Sequence, residues 1–286
     1  MTPPSSGSVQ VGMTSTRGRR VAPDALPEAD QELARGRHAA ALAVVERALA
    51  GGAAGDVGLR LRLARGHALW LSGRTRAGAA EVEKAGPECR EPLTRARALE
   101  LLGLFDWKAQ ELERAGARLA EAQALWAQAP RARGAALAIC RRAGLLRDSG
   151  RLVGALNLQA EAVVAALASG RDDVLGEARS GRAALLAALG RWTEAREEAE
   201  QAAALFRAGG DPREHTRAGL CRAVLELAAG ELGAASHSLA RAREAVCPEG
   251  SDPRTAGEIA LLGCDLALAE GDAPAALALA GEALTL

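Results

Sequence analysis

Small residues recur at fixed places in the pattern of polar and apolar positions along this chain. Counted from a set of glycines, with one glutamine among them, small side chains follow after five and after twelve residues in all seven copies. The reference positions are Gly36, Gly73, Gln110, Gly150, Gly190, Gly230 and Gly271. The first small column is Ala41, Gly78, Ala115, Ala155, Ala195, Ala235 and Ala276. The second is Ala48, Ala85, Ala122, Ala162, Ala202, Ala242 and Ala283.

This spacing predicts stacked pairs of helices. Two residues seven apart lie on one face of a helix, and two small side chains there let another helix approach closely. A third small column falls in the preceding helix, at Gly66, Gly103, Ala143, Ala183, Ala223 and Cys264. A glycine between the two helices supplies the left-handed backbone that ends the first of them. The pattern therefore predicts about seven antiparallel hairpins that bury their faces against one another.

One copy of the pattern resembles a known repeat. The stretch Gly190-Arg191-Trp192-Thr193-Glu194-Ala195, followed by Ala202, resembles a tetratricopeptide repeat, and the resemblance runs from about residue 29 to residue 284. The copies are nearer to 40 residues apart than to the ~34 of that family, and its aromatic positions are mostly aliphatic or alanine here. The resemblance implies an all-α protein, a right-handed α-solenoid. We expect Trp192 to fill the gap between neighbouring helices.

The two ends of the chain differ from its middle. Residues 1–26 are rich in Pro, Ser, Thr and Gly, which predicts a disordered leader. Residues 27–286 then form one helical-repeat domain, and Pro27 opens its first helix. No polar capping helix follows Leu284 in this sequence. We expect that end to meet a further domain, a partner or a second copy of the chain; the alternative is that the Ala-rich last helix exposes too little apolar surface to need a cap.

Charge and cysteine usage limit the location and the partners. Lys plus Arg and Asp plus Glu number 36 each, so no overall field attracts nucleic acid or an acidic membrane. The five cysteines show no CxxC spacing, which is typical of a reducing compartment. The sequence has neither a run of 18 apolar residues nor a hydrophobic segment near Met1. We expect a cytoplasmic protein that binds neither nucleic acid nor a membrane.

Motifs for catalysis are missing from the sequence. It contains no phosphate-binding Gly-x-x-x-x-Gly-Lys, no Gly-x-Ser-x-Gly and no His-Glu-x-x-His. The four histidines are scattered along the chain, unlike a metal cluster. We therefore predict that the protein is not an enzyme and uses no cofactor and no metal.

In the resembled family the first helix of each pair lines the inner face of the solenoid. Carried over by register, that lining includes Arg60, His67, Trp70, Arg97, Glu100, Trp107, Arg147 and Arg217. Trp70 and Trp107 occupy equivalent places and form either an aromatic ledge for a peptide or plugs at the helix ends. A second column comprises Arg65, Arg142, Arg182 and Arg222. These arginines form either a basic ladder for an acidic partner or pairs with neighbouring glutamates.

Two hypotheses about function follow. The first is a scaffold that binds a protein or peptide segment in the inner groove. That segment is acidic if the second arginine column is a basic ladder. The second is a sensory or regulatory segment of a larger signalling protein or transcriptional regulator. Charge is also segregated: from Ala122 to Ala160 there are six arginines and one acid, Asp148. We interpret this as a solvated face, a partner site or a contact between copies.

Overall fold

Fourteen α-helices make up the part of the chain that the structure, a computed structural model, describes: residues 21–35, 37–128, 133–209, 212–245 and 253–285. The first helices of the pairs are α1 (Val21–Ala34), α3 (Gly55–Leu71), α5 (Pro92–Lys108), α7 (Arg133–Asp148), α9 (Asp172–Ala188), α11 (Pro212–Ala228) and α13 (Pro253–Glu270). The second helices are α2 (His38–Ala50), α4 (Thr75–Ala85), α6 (Leu112–Ala127), α8 (Leu152–Ser169), α10 (Trp192–Gly209), α12 (Leu232–Ala245) and α14 (Ala273–Thr285).

The helices pack in chain order. Each first helix lies against the second helix of its own pair, and each second helix lies against the first helix of the next pair. First helices of neighbouring pairs also contact each other, for example α7 and α9. Seven hairpins therefore stack into one row, and the prediction of an all-α helical-repeat solenoid is confirmed.

The hairpin turns form at the reference positions of the sequence pattern. The described glycines of that set have a positive φ, 73° to 79°, and each donates its backbone N–H to the end of the helix before it. Gln110 adopts the same conformation, with a φ of 64°, although it carries a side chain. Gly36 lies outside the described residues. A left-handed residue thus reverses the chain between the helices of each hairpin from the second to the seventh.

The small columns are the contacts between helices. Almost all of their members are buried, and half-burial is confined to Cys264 and Ala283 in the last hairpin. In the second hairpin the backbones are in direct contact: a Cβ at Gly66 would lie 3.0 Å from the Gly78 carbonyl oxygen, and one at Gly78 would lie 2.5 Å from the Gly66 carbonyl oxygen. The prediction of close-packed hairpins at these positions is confirmed.

The first helix begins earlier than its sequence suggested. Helix α1 starts at Val21, and Pro27 lies inside it. Ala25 and Leu26 are buried against Val44 and Val45 of α2, so apolar contact extends the helix upstream of Pro27 at the loss of one backbone hydrogen bond. The last residues of the expected leader are therefore helical, and residues 1–20 lie outside the described residues.

Helix α8 has an unusual composition. Its 18 residues have a mean hydropathy of 1.5, so by length and composition it could cross a membrane. In the structure it packs between α7 and α9, where Gln159, Ala162 and Val163 are buried.

The last hairpin carries apolar side chains on its surface. Leu277 is 77% exposed and Leu284 is 89% exposed, both on α14. The expectation that this end meets another domain or a partner stays a prediction.

Candidate functional site

A groove of about 720 Å³ crosses the inner face, which is the surface formed by the first helices of the pairs. Five first helices contribute to it, from α5 to α13, together with parts of α8 and α10. Residues from five successive hairpins thus face one continuous space. We call this space the groove.

The groove is wide because its floor lacks large side chains. Gly144 of α7 and three residues of α9, Gly181, Ala184 and Ala187, face the space. Gly181 leaves room for the side chain of Gln159, which reaches through from α8 and donates to the Ala178 carbonyl oxygen at 2.8 Å. The backbone of α9 therefore comes close to the surface of the groove.

Two tryptophans form walls. Trp107 extends from α5 across Gly144 of α7, where a Cβ would lie 2.6 Å from Trp107 Cη2. Its indole Nε1 donates to Asp148 Oδ2 at 3.0 Å, and Arg147 Nε donates to the other oxygen of that carboxylate at 2.9 Å. Trp107 is thus fixed in place by both contacts.

Trp192 forms the other wall of the groove, and its position differs from the one expected. It is 52% exposed and lines the groove at the start of α10. The expectation that Trp192 fills the gap between neighbouring helices was wrong, because half of its side chain is exposed. The buried aromatic of α10 is Phe206, near the other end of the helix, whose ring lies against Gly176 and under the Arg217 guanidinium.

Apolar side chains continue the lining toward the end of the solenoid. Leu220 and Val224 of α11 and Leu261 and Leu262 of α13 face the groove. Val224 and Leu261 are exposed to solvent. Exposed apolar surface inside a concave site is the usual mark of ligand binding.

Charged groups lie at both ends and in the middle. Helix α7 contributes Arg141 and Arg147, and α13 contributes Glu258 and Asp265. Between them, Arg217 Nη1 of α11 donates to Glu177 Oε2 of α9 at 3.4 Å. The negative charge of Glu177, opposed by burial, raises the pKa of Arg217 above its usual value. Arg217 therefore keeps its positive charge.

Two cysteine thiols also face the groove. Burial raises the pKa of Cys140 to about 12, and burial likewise raises the pKa of Cys221, whose sulfur lies 3.1 Å from the Ser180 hydroxyl. A thiol in this state is a poor nucleophile near neutral pH. Within the described residues no group of His, Cys, Asp or Glu has the arrangement of a metal site. Neither of these two described thiols is therefore activated as a nucleophile.

The residues expected on the inner face fall into two sets. Trp107, Arg147 and Arg217 line the groove. The others, Arg60, His67, Trp70, Arg97 and Glu100, lie on α3 and α5, outside it.

The polar members of the second set, Arg60, His67, Arg97 and Glu100, form a strip along α3 and α5. Arg97 contacts His67 Nδ1 at 3.1 Å and donates to Glu100 Oε2 at 2.7 Å. Arg141 is also paired with Glu100, which joins the strip to the groove. Arg60 is a charged neighbour of Asp30, whose pKa is raised by burial.

Trp70 does not join Trp107 in an aromatic ledge. Its ring lies edge-on to Phe105 at 5.6 Å, and it packs against the core of the second and third hairpins. Each of the two tryptophans contacts the next hairpin or its core. The structure therefore favours the interpretation of both as plugs, although Trp107 is also a wall of the groove.

The second arginine column points away from the groove. Arg65 pairs with Glu81 and Arg182 with Glu198, each on the second helix of the same hairpin. Arg142 donates to Gln123 of α6, and Arg222 pairs with Glu226 at 3.2 Å. The structure favours pairing within the fold over a basic ladder. A role of these arginines in partner binding stays a prediction.

Sequence reasoning missed several lining residues, among them Arg141, Trp192, Val224, Glu258, Leu261 and Asp265. A usable signal existed for Glu258. It follows Arg217 by 41 residues, as Gly271 follows Gly230, so it occupies the register position of Arg217 in the last hairpin. Extending the register to the last hairpin would have found it.

Comparison with known proteins rests on structure alone. No protein-family model matches the sequence, and no curated protein matches it either. The fold is similar to that of apo RapI, with a TM-score of 0.69 and 10% identity over 92% of this chain and 96% of the other. It is also similar to a Rap protein complexed with competence and sporulation factor, with a TM-score of 0.67 and 15% identity over 82% and 67% of the two chains. A third similar structure is a tetratricopeptide repeat protein from Parabacteroides merdae, with a TM-score of 0.52 and 15% identity over 93% of each chain.

Proposed function

Because the chain folds as a tetratricopeptide-like solenoid, we propose that it is a non-enzymatic scaffold that binds an extended protein or peptide segment in the groove. The observation that carries this proposal is the continuity of the groove across the first helices from α5 to α13. A small ligand would need one pocket between two helices. A space shared by five helices fits a long, narrow occupant.

The lining suits such an occupant. Trp107 and Trp192 offer large apolar contact areas, and aromatic side chains are frequent binding hot spots. The small residues of α9 let the main chain of a ligand approach the helix backbone. Trp107 is already held by Asp148 and Gly144, so little conformational freedom is lost on binding.

Two further observations support binding rather than catalysis. The thiols of Cys140 and Cys221 have raised pKa values because they are buried. One similar structure, the Rap protein, is a complex with competence and sporulation factor. A cytoplasmic location is part of the proposal, supported by the described cysteines, which include no disulfide.

A second candidate function is a regulatory segment within a larger signalling protein. The exposed Leu277 and Leu284 of α14 favour it, because apolar surface of this kind is typical of a docking face. Leu277→Ser with Leu284→Ser would abolish binding of an effector domain in that case. Binding in the groove would be unchanged.

Selection from a displayed library of random ten-residue peptides tests the scaffold function. We expect the whole chain to enrich peptides whose affinity falls at least about fivefold with Trp107→Ala or Trp192→Ala, in line with the cost of losing a hot spot. Leu167→Ala is the matched control, because Leu167 is exposed like Trp192 but lies on α8 outside the groove. If the enriched peptides bind both tryptophan variants as tightly as the parent protein, the binding site lies outside the groove. Selection without any enrichment would reject the scaffold function.

A further inference from the structure

We propose that the last hairpin binds a basic amphipathic helix of a partner protein, which packs on α13 and α14 as the first helix of a further hairpin would. Three exposed leucines make the contact: Leu268 of α13 and Leu277 and Leu284 of α14. We call them the leucine face. None of the three lines the groove, so the inference goes beyond the scaffold function. It specifies the partner that the second candidate function requires.

The leucine face is open to solvent. The exposed fractions of Leu268, Leu277 and Leu284 are 60%, 77% and 89%. Gly281 stands between the two leucines of α14 and on the same side of the helix, since it follows Leu277 by four residues and precedes Leu284 by three. Nothing lies within 4 Å of its Cβ position. Another helix can therefore approach α14 closely between the two leucines.

The register of Leu268 indicates what kind of structure covers this face. Leu268 stands three residues before the turn glycine of its hairpin, and Trp70 and Trp107 stand three residues before the turn residues of theirs. The ring of Trp70 lies edge-on to Phe105 of α5, and Trp107 lies over Gly144 of α7. In both hairpins the side chain at this position contacts the first helix of the following hairpin.

The two leucines of α14 repeat a pair of leucines in the first hairpin. They stand six and thirteen residues after the turn glycine, as Leu42 and Leu49 do in α2. Leu42 packs in a cluster that includes Ala68 of α3, and Leu49 packs in one that includes Leu61 of α3. The same two positions thus meet a first helix in the first hairpin and are exposed in the last.

Helix α3 therefore defines the chemistry of the expected partner helix. Its apolar residues in those two clusters are Val57, Leu61, Ala64, Ala68 and Leu71. They follow one another by four and three residues in turn, which places them on one stripe of the helix. The charged residues of α3 are Asp56, Arg60, Arg62 and Arg65. A helix with this apolar stripe and an excess of arginine fits the leucine face.

The charge beside the leucine face favours a basic partner. Glu270 and Asp272 lie in the turn between Leu268 and Leu277, and both are exposed. No Lys or Arg stands in the sequence from Thr255 to its end. Opposite charge on the partner helix promotes its association and selects against acidic helices. An anionic membrane surface, in contrast, would be repelled by the same two acids.

Binding of a synthetic helix to the whole chain tests the inference. The probe is a fluorescein-labelled peptide with the sequence of residues 55–72, which comprises α3, and fluorescence anisotropy measures its affinity. We expect saturable binding. A control peptide with Leu61→Ser and Leu71→Ser keeps the charge and should bind at least about fivefold more weakly. A second control with Ala64→Pro keeps the apolar stripe but breaks the helix, and it should lose binding to a similar extent.

Variants of the protein locate the contact. Leu277→Ser combined with Leu284→Ser should weaken the α3 peptide at least about tenfold, as expected for hot spots. The matched control is Val153→Ser combined with Val164→Ser, because these side chains are both 68% exposed but lie on α8. It should leave the affinity unchanged. Glu270→Gln should weaken the peptide about twofold, in the range of an exposed charge pair.

The outcomes separate this inference from the proposed functions. Absence of peptide binding, equal affinity for the parent and the leucine variant, or undiminished binding of the Ala64→Pro peptide would overturn it. A dimer of the whole chain in sedimentation velocity that the leucine substitutions abolish would make a second copy the occupant and would also overturn it. The scaffold function stands or falls separately on the library selection, in which the leucine face takes no part.

The second candidate function is also tested separately. An effector domain that binds the parent but not the leucine variant would support that function even if the α3 peptide did not bind.

Discussion

Trp107 of α5 lies directly over Gly144 of α7, where a Cβ would come within 2.6 Å of the far edge of its indole. The glycine therefore keeps the tryptophan in position as a wall of the groove. Gly144→Ala should displace the indole from this position. We expect a net cost of about 1 kcal/mol, since overpacking costs ~1–3 kcal/mol and the better helix propensity of alanine returns up to ~1 kcal/mol.

Urea unfolding and tryptophan emission would measure that effect. Gly154→Ala is the control, because a Cβ there makes only an ordinary contact with Leu146 at 3.5 Å. It should stabilise the protein by up to about 1 kcal/mol. An unchanged emission spectrum in Gly144→Ala would contradict the contact.

Gln110 should be a weak point of the third turn. It adopts a left-handed conformation that costs a residue with a side chain about 1–2 kcal/mol, and glycine avoids this cost. Glycine loses about 0.5–1 kcal/mol more backbone entropy on folding. We therefore expect Gln110→Gly to stabilise the protein by about 0.5–1 kcal/mol and Gly150→Gln to destabilise it by a similar amount. Chemical unfolding of the two variants tests this, and the same sign of change in both would refute it.

The contact of Gly78 with α3 should not tolerate a methyl group. A Cβ there would lie 2.5 Å from the Gly66 carbonyl oxygen, so the backbones would have to move apart. We expect Gly78→Ala to cost about 2 kcal/mol despite the helix propensity of alanine. Gly233→Ala on α12 is the comparison, because nothing lies within 4 Å of its Cβ position. Equal melting temperatures of the two variants would argue against close packing in the second hairpin.

Glu91 makes the stability of α5 depend on pH. Burial raises the pKa of Glu91, but hydrogen bonds from the Thr94 backbone N–H, at 2.7 Å, and from the Thr94 hydroxyl outweigh it and hold the pKa below its usual value. Its stabilisation is complete above the unfolded pKa of about 4.3 and is lost as the pH falls through the lower folded pKa.

Glu91→Ala should therefore cost about 1 kcal/mol at pH 7, as for other N-caps, and less at pH 3. Urea unfolding at both pH values gives the difference between parent and variant. Glu161→Ala, which removes an exposed carboxylate from the middle of α8, is the control and should change the stability at pH 7 by no more than about 0.5 kcal/mol. A difference that grows on acidification would have the wrong sign for this mechanism.

Trp192 and Phe206 should differ in their cost to stability. Truncation of the fully buried Phe206 should cost about 3–5 kcal/mol. Trp192 is half exposed, so Trp192→Ala should cost roughly half as much and act mainly on ligand affinity. Thermal or chemical unfolding of both variants measures this. Equal losses of unfolding free energy in the two variants would show that Trp192 is packed between the hairpins.

The sequence was informative where one residue type serves one physical need. Gly73, Gly150 and Gly190 mark turns because the turn needs a left-handed residue, and Ala155 and Ala202 mark contacts because larger side chains would not fit. These features recur in each hairpin, so the fold could be predicted from their register.

The sequence was less informative where tertiary contacts determine a helix boundary or the direction of a side chain. The upstream extension of α1 depends on Ala25 and Leu26 packing against α2, which outweighs the backbone hydrogen bond lost at Pro27. Arg141 and Arg142 are adjacent in sequence, yet Arg141 lines the groove and Arg142 bonds to Gln123. The direction of such side chains depends on the exact helix rotation, which the register does not specify.

Buried packing residues and charged lining residues occupy different faces of the same first helices. Ala178 and Ala223 pack against neighbouring helices, whereas Glu177 and Arg217 face the groove. Mutations at the exposed lining residues can therefore accumulate without loss of foldability. A descendant of this chain could exchange one ligand for another by drift at a handful of exposed sites, while the architecture that presents them is inherited intact.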